Sequence, residues 1–144
     1  GGGIFDNLEI RKISDEELMT FDLINHGLDF GYTHPQVFSQ NYYDYETDTL
    51  YIFGEVYSKK CKNSTFARKI KKFMNVEIIC DSARPDGIAE MQDWGFNAIG
   101  AKKRWGSGKG RDYCWEWLQR CNKIVIDPER CPNTEKEFTK AEKY

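Results

Sequence analysis

Hydrophobic and polar positions follow two different patterns along this chain. Between Leu23 and Tyr57 the pattern predicts three strands with turn residues between them, and the second and third of these strands are rich in aromatic and β-branched residues. From Asn63 onwards, apolar residues at helical spacing alternate with short apolar runs, which predicts four helices and three further strands. In chain order, the predictions are strands at 23–30, 36–45 and 49–57, a helix at 63–74, a strand at 76–80, a helix at 85–95, a strand at 97–101, a helix at 111–121, a strand at 123–126 and a helix from Thr134.

The order of these elements indicates an α/β fold. Three antiparallel strands followed by alternating helices and strands predict a mixed sheet with helices on both faces, which is the ribonuclease H-like arrangement. The chain has 144 residues, which fits one domain, and we assign residues 23–144 to it. Residues 1–22 have a mixed pattern with a short helix at Ser14 to Phe21, and we expect a linker and N-terminal extension there.

Composition and charge exclude several classes of protein. Hydrophobic residues make up 40% and charged residues 31% of the chain, which is a globular mixture and excludes a disordered one. The formal net charge of −2 excludes a polycation, although Lys and Arg are concentrated at 59–72 and 102–111. No run approaches the roughly 18 apolar residues of a membrane span, and no signal peptide precedes the first strand. We therefore expect a cytoplasmic protein with no membrane partner.

The cysteines favour a reducing compartment. There are five, an odd number without a CxxC pair, and only two histidines accompany them. This composition disfavours a structural zinc site and fits a reduced, cytosolic protein. Cys80 lies inside an apolar strand and is predicted to be a core residue.

Two aspartates stand at the ends of predicted strands. Asp29 closes the first strand within the stretch 27–31, and Asp81 directly follows the apolar strand at 76–80. If these two strands are neighbours, the carboxylates converge at one edge of the sheet, and a divalent cation would relieve their repulsion. Metal ions held in this way can activate water for phosphodiester hydrolysis. Taken alone, Asp29 also fits a residue that caps a turn at a strand end, and Asp81 fits a residue that enters a helix.

Glu55 is a further candidate metal ligand. It lies near the end of the third strand, and strict alternation puts it on the same face as Tyr51 and Phe53. The alternative is a solvated glutamate at a strand end.

A basic, glycine-rich stretch at 101–111 is a candidate DNA-binding loop. It leads into a predicted helix, whose first backbone N–H groups can bind phosphate, and Trp105 could stack on a base or sugar. The alternative is a solvated flexible loop. Although residues 106–109 have some likeness to a P-loop, Gly110 stands where that motif requires Ser or Thr, so nucleotide hydrolysis is rejected. The candidate DNA-binding side chains are Lys102, Lys103, Arg104, Lys109 and Arg111.

Several segments together resemble the nuclease domain of large terminase subunits from tailed phages and prophages. Their order and spacing, from about Phe5 to the C-terminus, are more specific than any one of them. The matching segments are 27–35, 50–57, 80–83, 85–90, 95–97, 101–103, 106–107 and 131–138.

The resemblance implies a DNA endonuclease that cuts concatemeric viral DNA during genome packaging. Family nucleases bind two Mg²⁺ or Mn²⁺ ions through three acids on a ribonuclease H-like sheet; Asp29 and Asp81 would be the first two, with Lys102 and Lys103 on the side that faces DNA. The implied partners are double-stranded DNA, an N-terminal ATPase domain, the small terminase subunit and the portal. The third acid of the family lies beyond the last predicted helix. We therefore expect a C-terminally incomplete domain of weak or absent activity.

Two other functions remain open at this point. A catalytically silent fragment that binds DNA or a packaging partner would need no complete metal site. An actin-like ATPase or sugar kinase half has a similar strand meander and a similar stretch to Gly27–Gly31, but such proteins need a far longer chain.

Overall fold

The structure is a computed structural model that describes residues 3–31, 33–81, 83–101 and 111–141, with the backbone alone at 111–115. Seven strands and five helices are found in these ranges. The strands are β1 (Leu8–Ile10), β2 (Asn25–Asp29), β3 (Gln36–Asp44), β4 (Thr49–Ser58), β5 (Glu77–Cys80), β6 (Asn97–Gly100) and β7 (Lys123–Ile126). The helices are α1 (Asp15–Leu18), α2 (Asn63–Lys69), α3 (Pro85–Asp93), α4 (Arg111–Arg120) and α5 (Pro132–Lys140).

All seven strands form one mixed sheet in the order β1-β7-β4-β3-β2-β5-β6. β2, β3 and β4 are the predicted antiparallel meander. The pairs β2–β5, β5–β6, β4–β7 and β1–β7 are parallel. The carboxyl ends of β2, β4, β5, β6 and β7 therefore lie at the same edge of the sheet, and the α/β fold class is confirmed.

The N-terminal segment contributes to this sheet, which the sequence did not predict. β1 pairs with β7 in parallel, with Leu8 opposite Ile124. Phe5, Ile13 and Phe21 are buried in the cores on either side. β1 has three residues and its partner lies near the other end of the chain, so no local pattern marks it. β1 is thus a strand of the sheet and its flanking residues pack into the cores, so this segment belongs to the domain and is not an appended extension.

Helices cover both faces of the sheet, as predicted. On β7, Ile124 and Ile126 pack into a core with residues of α4 and α5, whereas Val125 between them packs with residues around α1. Because side chains alternate along a strand, these two cores lie on opposite faces. Phe38 and Tyr42 are four positions apart on β3, so their side chains lie on the same face of the sheet. Phe38 packs with residues of α2, and Tyr42 packs with residues of α1. α1, α2 and α3 therefore share one face, and α4 and α5 cover the other.

A β-bulge changes the face of Glu55. The register of β3 with β4 shifts between Gln40 and Asn41, so that Phe53 is an extra residue on β4. Phe53 packs with Phe21 on the α1 face, while Glu55 is hydrogen-bonded to α5 on the other face. The expectation that Phe53 and Glu55 share a face was wrong, because strict alternation does not pass through a bulge.

Two helix ends also differ from the prediction. α2 ends at Lys69 and continues as a 3₁₀ turn at Lys71–Phe73, so the helix predicted to Met74 is interrupted at Ile70. α5 begins at Pro132, and proline suits the first turn because it has no N–H to leave unpaired. Within the described ranges, no helix has the length and apolar character needed to cross a lipid bilayer.

Candidate active site

Asp29 and Asp81 lie side by side at the carboxyl edge of the sheet. Leu28 on β2 is in register with Cys80 on β5, and the backbone N–H of Asp81 donates to the carbonyl oxygen of Leu28 at 3.2 Å. The next residues along these parallel strands are Asp29 and Asp81. Adjacent strands are about 4.8 Å apart. The sequence prediction that the two strands are neighbours is therefore confirmed.

The two aspartates are on the solvent side of this edge. Leu28 and Cys80 are buried in the core under α2 and α3, whereas Asp29 and Asp81 are exposed. One carboxylate oxygen of Asp81, Oδ1, accepts the backbone N–H of Ala83 at 3.0 Å. This short turn fixes the carboxylate, and its second oxygen accepts no hydrogen bond from the residues that the structure describes.

The chain around Asp29 is held by two glycines. A Cβ atom on Gly31 would lie 2.5 Å from the carbonyl oxygen of His34, so this turn requires glycine. A Cβ atom on Gly87, in α3, would lie 3.0 Å from ring atoms of Phe30. The absence of a side chain at Gly87 lets Phe30 pack closely against α3. Asp29 is therefore anchored on its C-terminal side by a buried aromatic ring.

The donor chemistry of this edge fits a hard divalent cation, with part of the ligand set present. Two carboxylates on neighbouring strand ends are the oxygen ligands that Mg²⁺ and Mn²⁺ prefer. Among the residues that the structure describes, no group of three or more His, Cys, Asp or Glu side chains is arranged to hold a metal ion. The two carboxylates at this edge therefore match part of the ligand set that such an ion would need.

Glu55 is engaged elsewhere. Its Oε2 accepts the Asn133 side-chain amide at 2.7 Å and the Asn133 backbone N–H at 3.3 Å, and its Oε1 accepts the Thr134 backbone N–H at 2.8 Å. It therefore caps the N-terminus of α5, which begins two residues before the predicted start at Thr134. Glu55 shares a sheet face with Asp29, but β3 separates their strands.

Burial keeps the thiol beside the site protonated. Desolvation, together with the negative charge of Asp81, raises the pKa of Cys80 to about 11. Cys80 is a core residue, as predicted from the apolar strand around it. His26, on β2, is also buried, and desolvation lowers the pKa of its imidazole.

The predicted DNA-binding loop lies outside the described residues. This applies to Lys102, Lys103, Arg104 and Lys109, and to the side chain of Arg111, which begins α4. The chain reaches the loop from the carboxyl edge, because the backbone N–H of Ala101 donates to the Cys80 carbonyl oxygen at 2.9 Å.

A cleft beside the aspartates contains basic residues that the sequence prediction did not assign to the site. It has a volume of about 330 Å³ and is lined by Gly31, Lys62, Asn63, Arg84 and Glu90, among others. Glu90 accepts a hydrogen bond from the side chain of Asn63 at 3.1 Å. The signal that could have identified this region is the absence of acids around Lys62 in the sequence.

The sequence is similar to two large terminase subunits, and no protein-family model matches it. It is 37% identical over 148 residues to the large terminase subunit of Bacillus phage SPP1, covering 96% of this chain and 34% of that protein. It is 31% identical over 116 residues to the PBSX phage terminase large subunit of Bacillus subtilis strain 168, covering 74% of this chain and 24% of that protein. The chain thus spans about a third of the first relative and about a quarter of the second.

The fold is similar to solved terminase nuclease domains. The crystal structure of the SPP1 g2p large terminase nuclease domain with bound Mn superimposes with a TM-score of 0.83 at 33% identity, covering 97% of this chain and 81% of that one. The nuclease domain of the P22 large terminase has a TM-score of 0.61 at 17% identity, covering 96% and 78% of the two chains, which supports the fold alone.

Proposed function

This chain belongs to the nuclease domains of phage large terminase subunits, and on that premise we propose that it is a metal-dependent endonuclease domain. Its substrate is double-stranded DNA, and its reaction is the hydrolysis of phosphodiester bonds in concatemeric viral DNA during genome packaging. The observation that carries the proposal is the adjacency of Asp29 and Asp81 at the carboxyl ends of β2 and β5.

The electrostatics of this adjacency favour a bound cation. Two carboxylates on neighbouring strands repel each other, which disfavours the charged form of both, and a positive charge between them removes this repulsion. Asp29 and Asp81 would hold Mg²⁺ or Mn²⁺, two ions in the complete site. The SPP1 nuclease domain structure, which contains Mn, supports this choice of metals.

The residues of the chain have distinct tasks in this proposal. Bound ions supply positive charge that lowers the pKa of a water molecule and stabilises the leaving oxygen. Asp29 and Asp81 fix the position of that charge. Phe30 and the Asp81 turn hold the two carboxylates in place, so little reorganisation is needed when DNA binds. No element for reading base edges is evident in the described residues, and we expect cutting with little sequence preference.

The wider setting is proposed from the relatives. They are large terminase subunits about three times as long as the aligned region or longer. Structures of the large terminase from the thermophilic bacteriophage D6E include complexes with ADP and ATP-γ-S. We propose that this domain acts with an N-terminal ATPase domain, a small terminase subunit and the portal in the host cytoplasm. With two carboxylates in the described part of the site, we expect the 144-residue chain to bind metal weakly and to cut DNA slowly.

Nicking of supercoiled plasmid in Mn²⁺ tests the proposal. We expect slow nicking by the wild-type chain and none by Asp29→Asn or Asp81→Asn, because an amide oxygen is a poorer ligand for a hard cation. Asp93→Asn removes an exposed acid at the end of α3 and is the matched control, with nicking equal to wild type.

Two results would contradict the proposal. Nicking that survives Asp29→Asn would indicate a contaminating nuclease or another site. A shift of plasmid mobility without nicking, at any Mn²⁺ concentration and with the wild-type chain, would favour a silent DNA-binding domain instead.

A further inference from the structure

The connection from β4 to β5 carries positive charge that no acid of the same segment balances. Between Val56 and Val76 the sequence contains no Asp or Glu, and its cations are Lys59, Lys60, Lys62, Arg68, Lys69, Lys71 and Lys72. The first three are exposed, and none of them forms an ion pair with another residue that the structure describes. The cations near β1 differ, because Arg11 and Arg130 are paired with carboxylates there.

The three lysines follow the end of β4, at the same edge of the sheet as the two aspartates. The last residue of β4, Ser58, is paired with Gln36, the first residue of β3. The last residue of β2, Asp29, is paired with Val37, the next residue of β3. Lys59 and Lys60 follow directly. β3 alone lies between β2 and β4, so the two strand ends are about 10 Å apart across the sheet.

Lys62 extends the positive surface towards Asp81. It precedes α2 and lines the same cleft as Arg84, which lies three residues after Asp81. The Arg84 guanidinium is 3.6 Å from the exposed carboxylate of Asp86. Glu90 also lines this cleft and accepts a hydrogen bond from Asn63, but Lys62 forms no ion pair with a described residue. The cleft opens next to Gly31, at the turn that follows Asp29.

We propose that Lys59, Lys60 and Lys62 bind the phosphate backbone of double-stranded DNA and hold the duplex against Asp29 and Asp81. This site rests on the proposed function and consists of residues other than those of the predicted DNA-binding loop. One strand of B-DNA has a phosphate every ~3.4 Å along the helix axis, so a displacement of about 10 Å reaches phosphates roughly three nucleotides from the bond to be cut. Such contacts fix the position of the duplex without reading its sequence.

The salt dependence of binding to a labelled duplex tests this site. The variant Lys59→Gln/Lys60→Gln/Lys62→Gln is compared with Arg68→Gln/Lys71→Gln/Lys72→Gln, which removes the same charge from exposed positions near the start of β5, at the opposite edge of the sheet. Fluorescence anisotropy in EDTA measures affinity without cleavage. Each phosphate contact contributes about 0.9 to the slope of log K against log salt, so we expect the slope of the first variant to be shallower than that of the control by about 2.7.

The affinity and a single substitution give independent readouts. At 0.1 M salt we expect the first variant to bind at least about tenfold more weakly than the control, and Lys62→Gln alone to change the slope by about 0.9. Because all substituted side chains are exposed, both variants should melt like the wild type. Equal slopes and affinities for the two triple variants, with a wild type that nicks DNA through Asp29, would overturn this site alone. A wild type that does not nick DNA would overturn the proposed function instead.

Discussion

Replacing Glu55 by alanine tests whether this acid holds the last helix or a metal ion. The substitution removes the acceptor for two backbone N–H groups of the first turn of α5 and for the side-chain amide of Asn133. Losing a helix cap costs about 1 kcal/mol per cap, and a carboxylate at a helix N-terminus adds about 0.3–1 kcal/mol. We expect Glu55→Ala to lower the free energy of unfolding by about 2–3 kcal/mol in total.

The conservative variant separates charge from shape. In Glu55→Gln the amide carbonyl can replace one carboxylate oxygen, but its NH₂ group then faces the N–H of either Asn133 or Thr134. At least one backbone hydrogen bond is lost, and we expect a destabilisation of about 1 kcal/mol. Glu90→Ala is the control, because Glu90 is exposed and accepts a single hydrogen bond from Asn63. It should change the free energy of unfolding by less than about 0.5 kcal/mol.

Urea denaturation and calorimetric titration with Mn²⁺ give the two readouts. For a chain of this length, a loss of 2–3 kcal/mol corresponds to a melting temperature lower by roughly 6–12 °C. The Mn²⁺ affinity of both Glu55 variants should remain within twofold of wild type. A Glu55→Ala variant as stable as wild type would refute the capping role. A variant of normal stability that no longer binds Mn²⁺ would identify Glu55 as a ligand.

Three further predictions concern the packing around the site. Asp127→Asn should destabilise the fold by about 3 kcal/mol in urea denaturation, because both oxygens of this 1% exposed carboxylate accept backbone N–H groups, including that of Ile13 at 3.0 Å; a loss below 1 kcal/mol would contradict it. Gly87→Ala should displace the ring of Phe30, destabilise the fold by about 1–2 kcal/mol and slow plasmid nicking, whereas greater stability from improved helix propensity would contradict the steric argument. Burial raises the pKa of Cys131 from 9.0 to about 12, so above pH 9 the thiol ionises in the unfolded chain first. The free energy of unfolding, followed as the urea midpoint, should therefore fall as the pH rises from 9 towards 12. Iodoacetamide should not label Cys131 in the folded chain at pH 8.5.

Most of the fold could be predicted from local sequence patterns. The meander follows from two aromatic, β-branched runs around the turn at 46–48, and the later strands are short apolar runs between helices with clear apolar faces. Asp29 and Asp81 could be selected for the same reason, since each follows an apolar strand directly. Chain connectivity then predicts which strands are neighbours, and that prediction brought the two acids together.

Contacts between distant segments could not be read from the sequence. β1 has three residues and gains its stability from β7, so its own residues show no strand pattern. The bulge at Phe53 depends on the pairing of two strands rather than on a glycine or proline in either. Glu55 was predicted as a metal ligand or a solvated acid, and its capping contacts were missed, because its partners Asn133 and Thr134 follow it by 78 and 79 positions.

The pairing of β1 with β7 also determines when this domain can finish folding during its synthesis. The backbone N–H of Ile13 donates to Asp127, 114 positions later. The core under α2 and α3 is built from residues 28–98 and can assemble as soon as those residues leave the ribosome. Phe5, Ile13 and Phe21 have no complete core until Val125 and its neighbours follow. A nascent chain halted before β7 would therefore expose the apolar side chains of Phe5, Ile13 and Phe21, which chaperones and proteases could recognise.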